Sequence, residues 1–264
     1  MRRILSFECN GATLAATLDE APGTTGLLIV SGGNEIRIGA HRGMAKLAAD
    51  VAAAGYPVFR FDRRGVGDSE GQNGGFLSSG PDIEASIVAF QAACPTLTKL
   101  VGFGNCDAAT ALVLHKPDIA RMVLANPWVI EPIDELPPSA AIRSHYARRL
   151  RDPQAWLSLL RGKLNFGKAI KGIGRAASAP AAGALAEAFA KALLHRLADT
   201  TIILAERDNT AIAFEQAWQG PAFKEHRPYQ DIDFIKLDSG SHSFASEADY
   251  AALKATLITA LSGQ

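Results

Sequence analysis

The stretch Leu100-Val101-Gly102-Phe103-Gly104-Asn105-Cys106-Asp107-Ala108-Ala109 decides the fold. A short apolar run leads into small-x-Cys-x-small, and a helix-like segment continues to His115. This is the layout of a nucleophile elbow, a tight strand-to-helix turn that raises a reactive side chain above a sheet in a strained backbone conformation. Strand and helix nearly touch at such a turn. The residues two before and two after the apex must therefore be small, and Gly104 and Ala108 meet that demand. The usual apex residue is Ser; here it is Cys106. The reading predicts an enzyme that handles acyl groups through a thioester.

Apolar runs alternate with helical segments on both sides of the elbow. Leu27-Leu28-Ile29-Val30 reads as a buried strand ended by Gly32-Gly33. Residues 40–54 read as an Ala-rich helix stopped by Gly55, Val58-Phe59-Arg60-Phe61-Asp62 as the next strand, and residues 81–93 as a helix. Beyond the elbow come Met122-Val123-Leu124, Thr201-Ile202-Ile203-Leu204 and Phe234-Ile235-Lys236-Leu237, then a closing helix over 245–261. Such alternation predicts an α/β fold with a mostly parallel, doubly wound sheet. Residues 4–17 supply an antiparallel edge hairpin. One stretch, 131–196, shows no strand pattern. It is expected to be an α-helical lid inserted into a core formed by 1–130 and 197–264, over the carboxyl edge of the sheet where such folds place their ligands. Between Arg143 and Arg175 this stretch is rich in Arg and Lys and holds one acid, Asp152. Either it is a solvated basic face, or Arg148, Arg149 and Arg151 bind an anionic portion of a substrate.

At 264 residues and 48% hydrophobic composition, the chain suits one domain with an insertion, or at most two. Lys+Arg and Asp+Glu both number 27, so no overall field argues for nucleic acid or a membrane surface. No apolar run approaches a bilayer span. Met1-Arg2-Arg3-Ile4-Leu5 begins like a secretion signal, but Glu8 and Asn10 break it early. Three widely spaced cysteines, Cys9, Cys94 and Cys106, argue against a disulfide framework or a zinc site. A reducing cytoplasm, no metal and no cofactor are the expectation.

A cysteine nucleophile needs a base, and the base needs an orienting carboxylate. In hydrolases built on an elbow these follow in the order nucleophile, acid, His, each in a loop just past a strand. Asp208 lies in Ala205-Glu206-Arg207-Asp208-Asn209, and His242 in Ser239-Gly240-Ser241-His242-Ser243. Order and placement both fit. Asp233 and Asp238 are rivals for the acid. The oxyanion hole needs backbone N–H groups aimed at the developing charge. Asp107, the residue after the nucleophile, supplies one. The loop Ser31-Gly32-Gly33-Asn34 supplies the other, from Gly33 first and Asn34 next. His41, His115, His195 and His226 read as structural or surface residues, and His145 falls in the expected lid.

Three segments resemble α/β-hydrolases: Ser31-Gly32-Gly33-Asn34, Gly39-Ala40-His41-Arg42-Gly43, and Arg60-Phe61-Asp62-Arg63-Arg64-Gly65-Val66-Gly67-Asp68-Ser69-Glu70-Gly71. Within that superfamily the chain most resembles the type 1 exosortase-A-system-associated hydrolases. It shares a Gly-Asn/Leu-Cys-Asp-type elbow, an Asn126-Pro127-Trp128-Val129-like segment, and Arg151-Asp152-Pro153 followed by Trp156 and Gly162-Lys163. Where the family has Gly-Pro near the oxyanion loop, this chain has Gly33-Asn34. The resemblance spans nearly the whole length. It implies an acyl hydrolase or acyltransferase that works through Cys106, His242 and Asp208 without naming the substrate. A small acyl thioester or ester with an anionic handle, for instance a coenzyme A or carrier-protein conjugate, is the expected partner. A carboxylester or dienelactone-type lactone hydrolase is the first alternative, and a non-catalytic hydrolase-fold binding protein the second.

Overall fold

The computed structural model describes residues 1–130, 183–224 and 232–263. Eight strands form one sheet: β1 (Arg2–Cys9), β2 (Ala12–Asp19), β3 (Thr25–Val30), β4 (Val58–Phe61), β5 (Lys99–Asn105), β6 (Arg121–Ala125), β7 (Thr200–Ala205) and β8 (Asp233–Leu237). Their spatial order is β1-β2-β4-β3-β5-β6-β7-β8. β1 and β2 pair antiparallel, as do β2 and β4. Every pairing from β4 through β8 is parallel. The edge hairpin closes through Asn10 and Gly11, both at positive φ, the backbone that a tight two-residue turn requires.

The continuous apolar runs have a simple cause: the central strands are buried on both faces. Along β3, Leu28 and Val30 join a core with Phe59, Phe61, Phe90 and Leu112. Leu27 and Ile29 join the opposite one with Leu47, Val51, Phe103 and Leu257. The helices that cover these faces are α1 (Gly43–Ala53), α2 (Gly80–Ala93), α3 (Asp107–His115), α4 (Ala184–Leu193), α5 (Asn209–Trp218) and α6 (Glu247–Ser262). The first expected helix starts late. His41 and Arg42 take positive φ, so residues 40–42 form a separate short turn before α1.

The expected lid over 131–182, with Arg148, Arg149, Arg151 and His145, lies outside the described residues. The end of the expected insertion is described, and it belongs to the core. In α4, Phe189 and Leu193 are fully buried, and Phe189 meets Phe214 edge-on at 5.9 Å. Apolar burial of this kind makes 184–193 part of the layer that packs beside α3, so any covering segment ends before it.

A buried ionic lattice braces the sheet beside the site. Arg60, 1% exposed, reaches the Asp19 carboxylate at 3.2 Å and donates to the Arg37 carbonyl at 2.7 Å. Arg37 in turn pairs with Asp62, whose side chain is fully buried. Taken together, these bonds fix the loops that follow β3 and β4 at the carboxyl edge.

Candidate active site

β5 delivers the chain to Cys106, which adopts φ 61° and ψ −125° between strand and α3. A non-glycine residue in that region carries strain of about 1–3 kcal/mol, so its surroundings must hold it. They do: the Cys106 N–H donates to the Ala125 carbonyl at 2.9 Å, and its own carbonyl accepts from Trp128 N–H at 3.2 Å. A Cβ on Gly104 would lie 2.6 Å from the Ala108 carbonyl carbon, which is backbone and cannot yield. The small residue expected there is therefore a steric necessity.

Asp208 follows β7 and caps α5, accepting from Thr210 N–H at 3.0 Å and Ala211 N–H at 3.2 Å through Oδ2. The same oxygen lies 3.0 Å from His242 Nδ1. Burial pushes the Asp208 carboxyl upward, but the bonds from His242 and the two amides prevail and hold it below its usual range. The His242 imidazole is pushed up to about 10, first by Asp208 and then by its hydrogen bond to the Cys106 thiol. It is thus a cation at neutral pH, bonded to the carboxylate on one side and to sulfur on the other. The rival acids stand elsewhere: Asp238 is exposed and pairs with Arg207 at 3.2 Å, while Asp233 is exposed on β8.

The expected oxyanion donors are arranged differently from the sequence reading. The Gly33 N–H, on a residue at φ 54°, donates to the Asp107 side chain at 2.6 Å. Asp107 therefore meets the loop through its carboxylate, as well as opening α3 with its backbone. Gly32 leaves room for that carboxylate, since a Cβ there would sit 2.7 Å from Asp107 Oδ1. Asn34 turns its Oδ1 to Asn73, which donates at 2.7 Å.

Sequence reasoning missed a chain of amides behind the site. Ala205 N–H donates to Asn126 Oδ1 at 2.9 Å, Asn126 Nδ2 to Asn105 Oδ1 at 3.3 Å, and Asn105 Nδ2 to the His242 carbonyl at 2.9 Å. It ties the carboxyl ends of β5, β6 and β7 to the loop carrying the imidazole. Asn126, fully buried at φ 42°, had one sequence signal, the turn-forming dipeptide Asn126-Pro127. Of the other noted groups, His115 ends α3 and contacts the Phe76 carbonyl at 3.0 Å, and Cys9 is buried with its thiol on Asp82 at 3.4 Å. Among the described residues no helix is long and apolar enough to cross a membrane.

No protein-family model and no curated protein matches this chain. Solved structures do. An esterase of Pyrococcus furiosus, Pf2001, superposes with a TM-score of 0.63 at 13% identity, covering 99% of this chain and 90% of that one. The thioesterase domain from the curacin biosynthetic pathway gives 0.58 at 15%, covering 98% and 100%. The α/β hydrolase GrgF from Penicillium sp. sh18 gives 0.61 at 14%, covering 98% of both. At such identities the likeness shows the fold, which is the α/β-hydrolase fold.

Proposed function

We propose that this chain is an acyl hydrolase that cleaves a thioester or ester through Cys106, with His242 and Asp208 as its base and orienter. The observation that carries the reading is the His242 imidazole bonded to Asp208 on one side and to Cys106 on the other, with the cysteine at the apex of the elbow. The names of structurally similar proteins, an esterase and a thioesterase, support the same class of chemistry.

In the first half-reaction Cys106 Sγ, its proton resting on His242, attacks the acyl carbonyl. The leaving thiol or alcohol takes the proton from the imidazolium as its bond to carbon breaks, and a thioester to Cys106 remains. The second half reverses the roles. Neutral His242 takes a proton from water, the hydroxide adds to the thioester carbonyl, and the carboxylic acid leaves as the thiol is restored. Asp208 keeps Nδ1 hydrogen-bonded so that the other ring nitrogen serves sulfur. The carbonyl oxygen gathers negative charge in both steps. The Asp107 backbone N–H at the head of α3 and the Gly33 N–H are its donors. The Asp107 carboxylate must leave Gly33 for the second donor to act.

An acceptor alcohol, amine or thiol in place of water would make the same intermediate an acyltransferase, and a lactone would be opened by the same steps. A thiol nucleophile also suits a reducing cytoplasm, where we place the protein. The type 1 exosortase-associated resemblance fits an acyl hydrolase or acyltransferase, and the basic 143–175 segment fits an acyl group carried on an anionic handle.

The test is intact-mass spectrometry of the protein mixed with acyl-coenzyme A thioesters, alongside turnover. The wild type should gain one acyl mass on Cys106, and Cys106→Ala should gain none and lose turnover at least a thousandfold while keeping its fold. A turning-over Cys106→Ala protein would overturn the mechanism. Absence of both acylation and turnover across thioesters, esters and lactones would favour a binding protein.

A further inference from the structure

Three of the four buried side-chain polar atoms without a hydrogen-bond partner among the described residues lie at one place. They are Ser31 Oγ and Arg63 Nε and Nη1. Ser31 follows β3 and Arg63 follows β4; these strands run parallel and side by side, with Val30 opposite Phe61. Both residues therefore stand just past the carboxyl edge, beside the Gly32-Gly33 loop. Arg63 is 3% exposed, and its Nη2 donates to the Gly33 carbonyl. The other guanidinium groups nearby have carboxylates: the buried Arg37 has Asp62 and Arg60 has Asp19, and the half-buried Arg64 has Asp82. Arg63 has none.

A buried cation without a counter-charge is unfavourable, and a fold that retains one has a place for an anion. We propose that Arg63 and Ser31 form a subsite for a carboxylate on the acyl group of the substrate. The inference rests on the acyl-hydrolase reading and names its substrate class: a short acyl chain ending in a second carboxylate. Charge selects the occupant. One guanidinium balances one negative charge, whereas a phosphate monoester carries about −1.5 to −2 at neutral pH and would leave an excess. Geometry selects the shape. Nη2 has a second N–H besides the one on the Gly33 carbonyl, and with an N–H of the unpartnered Nη1 it presents a fork that a carboxylate meets with parallel hydrogen bonds, while the unpartnered Ser31 hydroxyl, past the neighbouring strand end, offers another donor. Position selects the part of the substrate. The guanidinium holds the carbonyl of Gly33, whose own N–H donates to the Asp107 carboxylate at 2.6 Å, so the subsite adjoins the residue that carries a candidate oxyanion donor. It reads atoms near the reacting carbonyl and not a distant handle. Arg63 also occupies the variable position of the Asp62-x-Arg64-Gly65-x-Gly67-x-Ser69 segment, so the general motif does not demand it.

The experiment compares glutaryl- and valeryl-coenzyme A, which share the same handle and differ at the acyl terminus, with spontaneous hydrolysis subtracted. The wild type should favour glutaryl at least tenfold in kcat/KM. Arg63→Gln should bring that ratio close to one, Ser31→Ala should lower it several-fold, and Arg63→Lys should keep part of it. No glutaryl preference in the wild type would overturn the subsite. So would equal losses on both substrates in Arg63→Gln, because the guanidinium would then only prop the Gly33 loop. A second readout needs no turnover: free glutarate should slow alkylation of Cys106 by iodoacetamide in the wild type, valerate should not, and Ser31→Ala should weaken the effect. This readout decides the subsite if Arg63→Gln does not fold, and absence of protection there rejects it. Valeryl turnover that depends on Cys106 without glutaryl preference would sink the subsite alone. Protection by glutarate without any turnover would sink the acyl-hydrolase reading alone.

Discussion

Replacing Asn126 tests whether the amide chain holds the active site together. The side chain is fully buried, and its Oδ1 is the acceptor for the Ala205 N–H at 2.9 Å. In Asn126→Ala that amide, on a fully buried residue, loses its acceptor, which costs about 1–3 kcal/mol. Alanine must also take φ 42°, where asparagine is tolerated and an L-residue with only a Cβ is disfavoured by about 1–2 kcal/mol. The sum is about 2–5 kcal/mol, a large share of the roughly 5–15 kcal/mol that holds a domain folded. Asn126→Gly separates the two contributions. It loses the same hydrogen bonds and escapes the backbone strain, though glycine adds about 0.5–1 kcal/mol of unfolded-state freedom, so it should be no less stable than Asn126→Ala. Urea unfolding followed by circular dichroism measures both. The active site should report the change as well. Asn105 loses the Asn126 amide that holds its Oδ1 at 3.3 Å, so its grip on the His242 carbonyl slackens and kcat should fall more than KM rises. A loss below about 1 kcal/mol in Asn126→Ala, with kcat unchanged, would refute the reasoning.

The remaining predictions concern the imidazole and the elbow. Asp208→Asn should bring the His242 titration down from about 10 toward its ordinary value and lower kcat about 10²- to 10⁴-fold; imidazole NMR and pH-rate profiles read both, and an unchanged titration would exclude Asp208 as the cause. Since the folded-state value lies above the ordinary imidazole value of 6.5, the contribution of His242 to stability is fully present below about pH 6.5 and lost as pH rises through about 10. Thermal melts should therefore decline on the alkaline side in the wild type and decline less in Asp208→Asn. Gly104→Ala forces a methyl to within 2.6 Å of backbone and should destabilise by about 1–3 kcal/mol while displacing the Cys106 thiol; a variant of wild-type stability and activity would contradict the close approach of strand and helix.

The frame is legible in the sequence because a sheet buried on both faces must be written in continuous apolar runs, and each strand from β3 to β8 contains the run that announced it, except that Asp62 falls just past the end of β4. The bonded group Cys106, His242 and Asp208 is legible because each member sits in the first turns past a strand, so local position along the chain stands in for position in space. The supporting hydrogen bonds are not legible. They join residues 21, 79 and 137 positions apart, and nothing local marks an asparagine as the partner of a distant carbonyl. Arg63 is hidden for a related reason: nothing in Asp62-Arg63-Arg64-Gly65 separates a surface arginine from a buried one, and only the packed sheet shows it to be 3% exposed and, among the described residues, without a carboxylate.

The oxyanion loop shows how the same limit shapes chemistry. Sequence reasoning treats the Gly33 N–H as a vacancy waiting for substrate, yet an amide donor is seldom left without an acceptor. Here the resting acceptor is the Asp107 carboxylate, placed by the same helix start that presents Cys106. An anionic oxygen already sits on the donor that the proposed mechanism needs for a developing oxyanion. Substrate binding then replaces an anionic oxygen by a neutral carbonyl oxygen, a weaker acceptor, so the ground state gains nothing in hydrogen bonding. The gain appears only when charge builds on the carbonyl, while the displaced carboxylate reaches water. In the proposed mechanism an exchange of that kind would leave ground-state binding weak and give its benefit at the transition state, which is the condition for raising kcat without tightening KM.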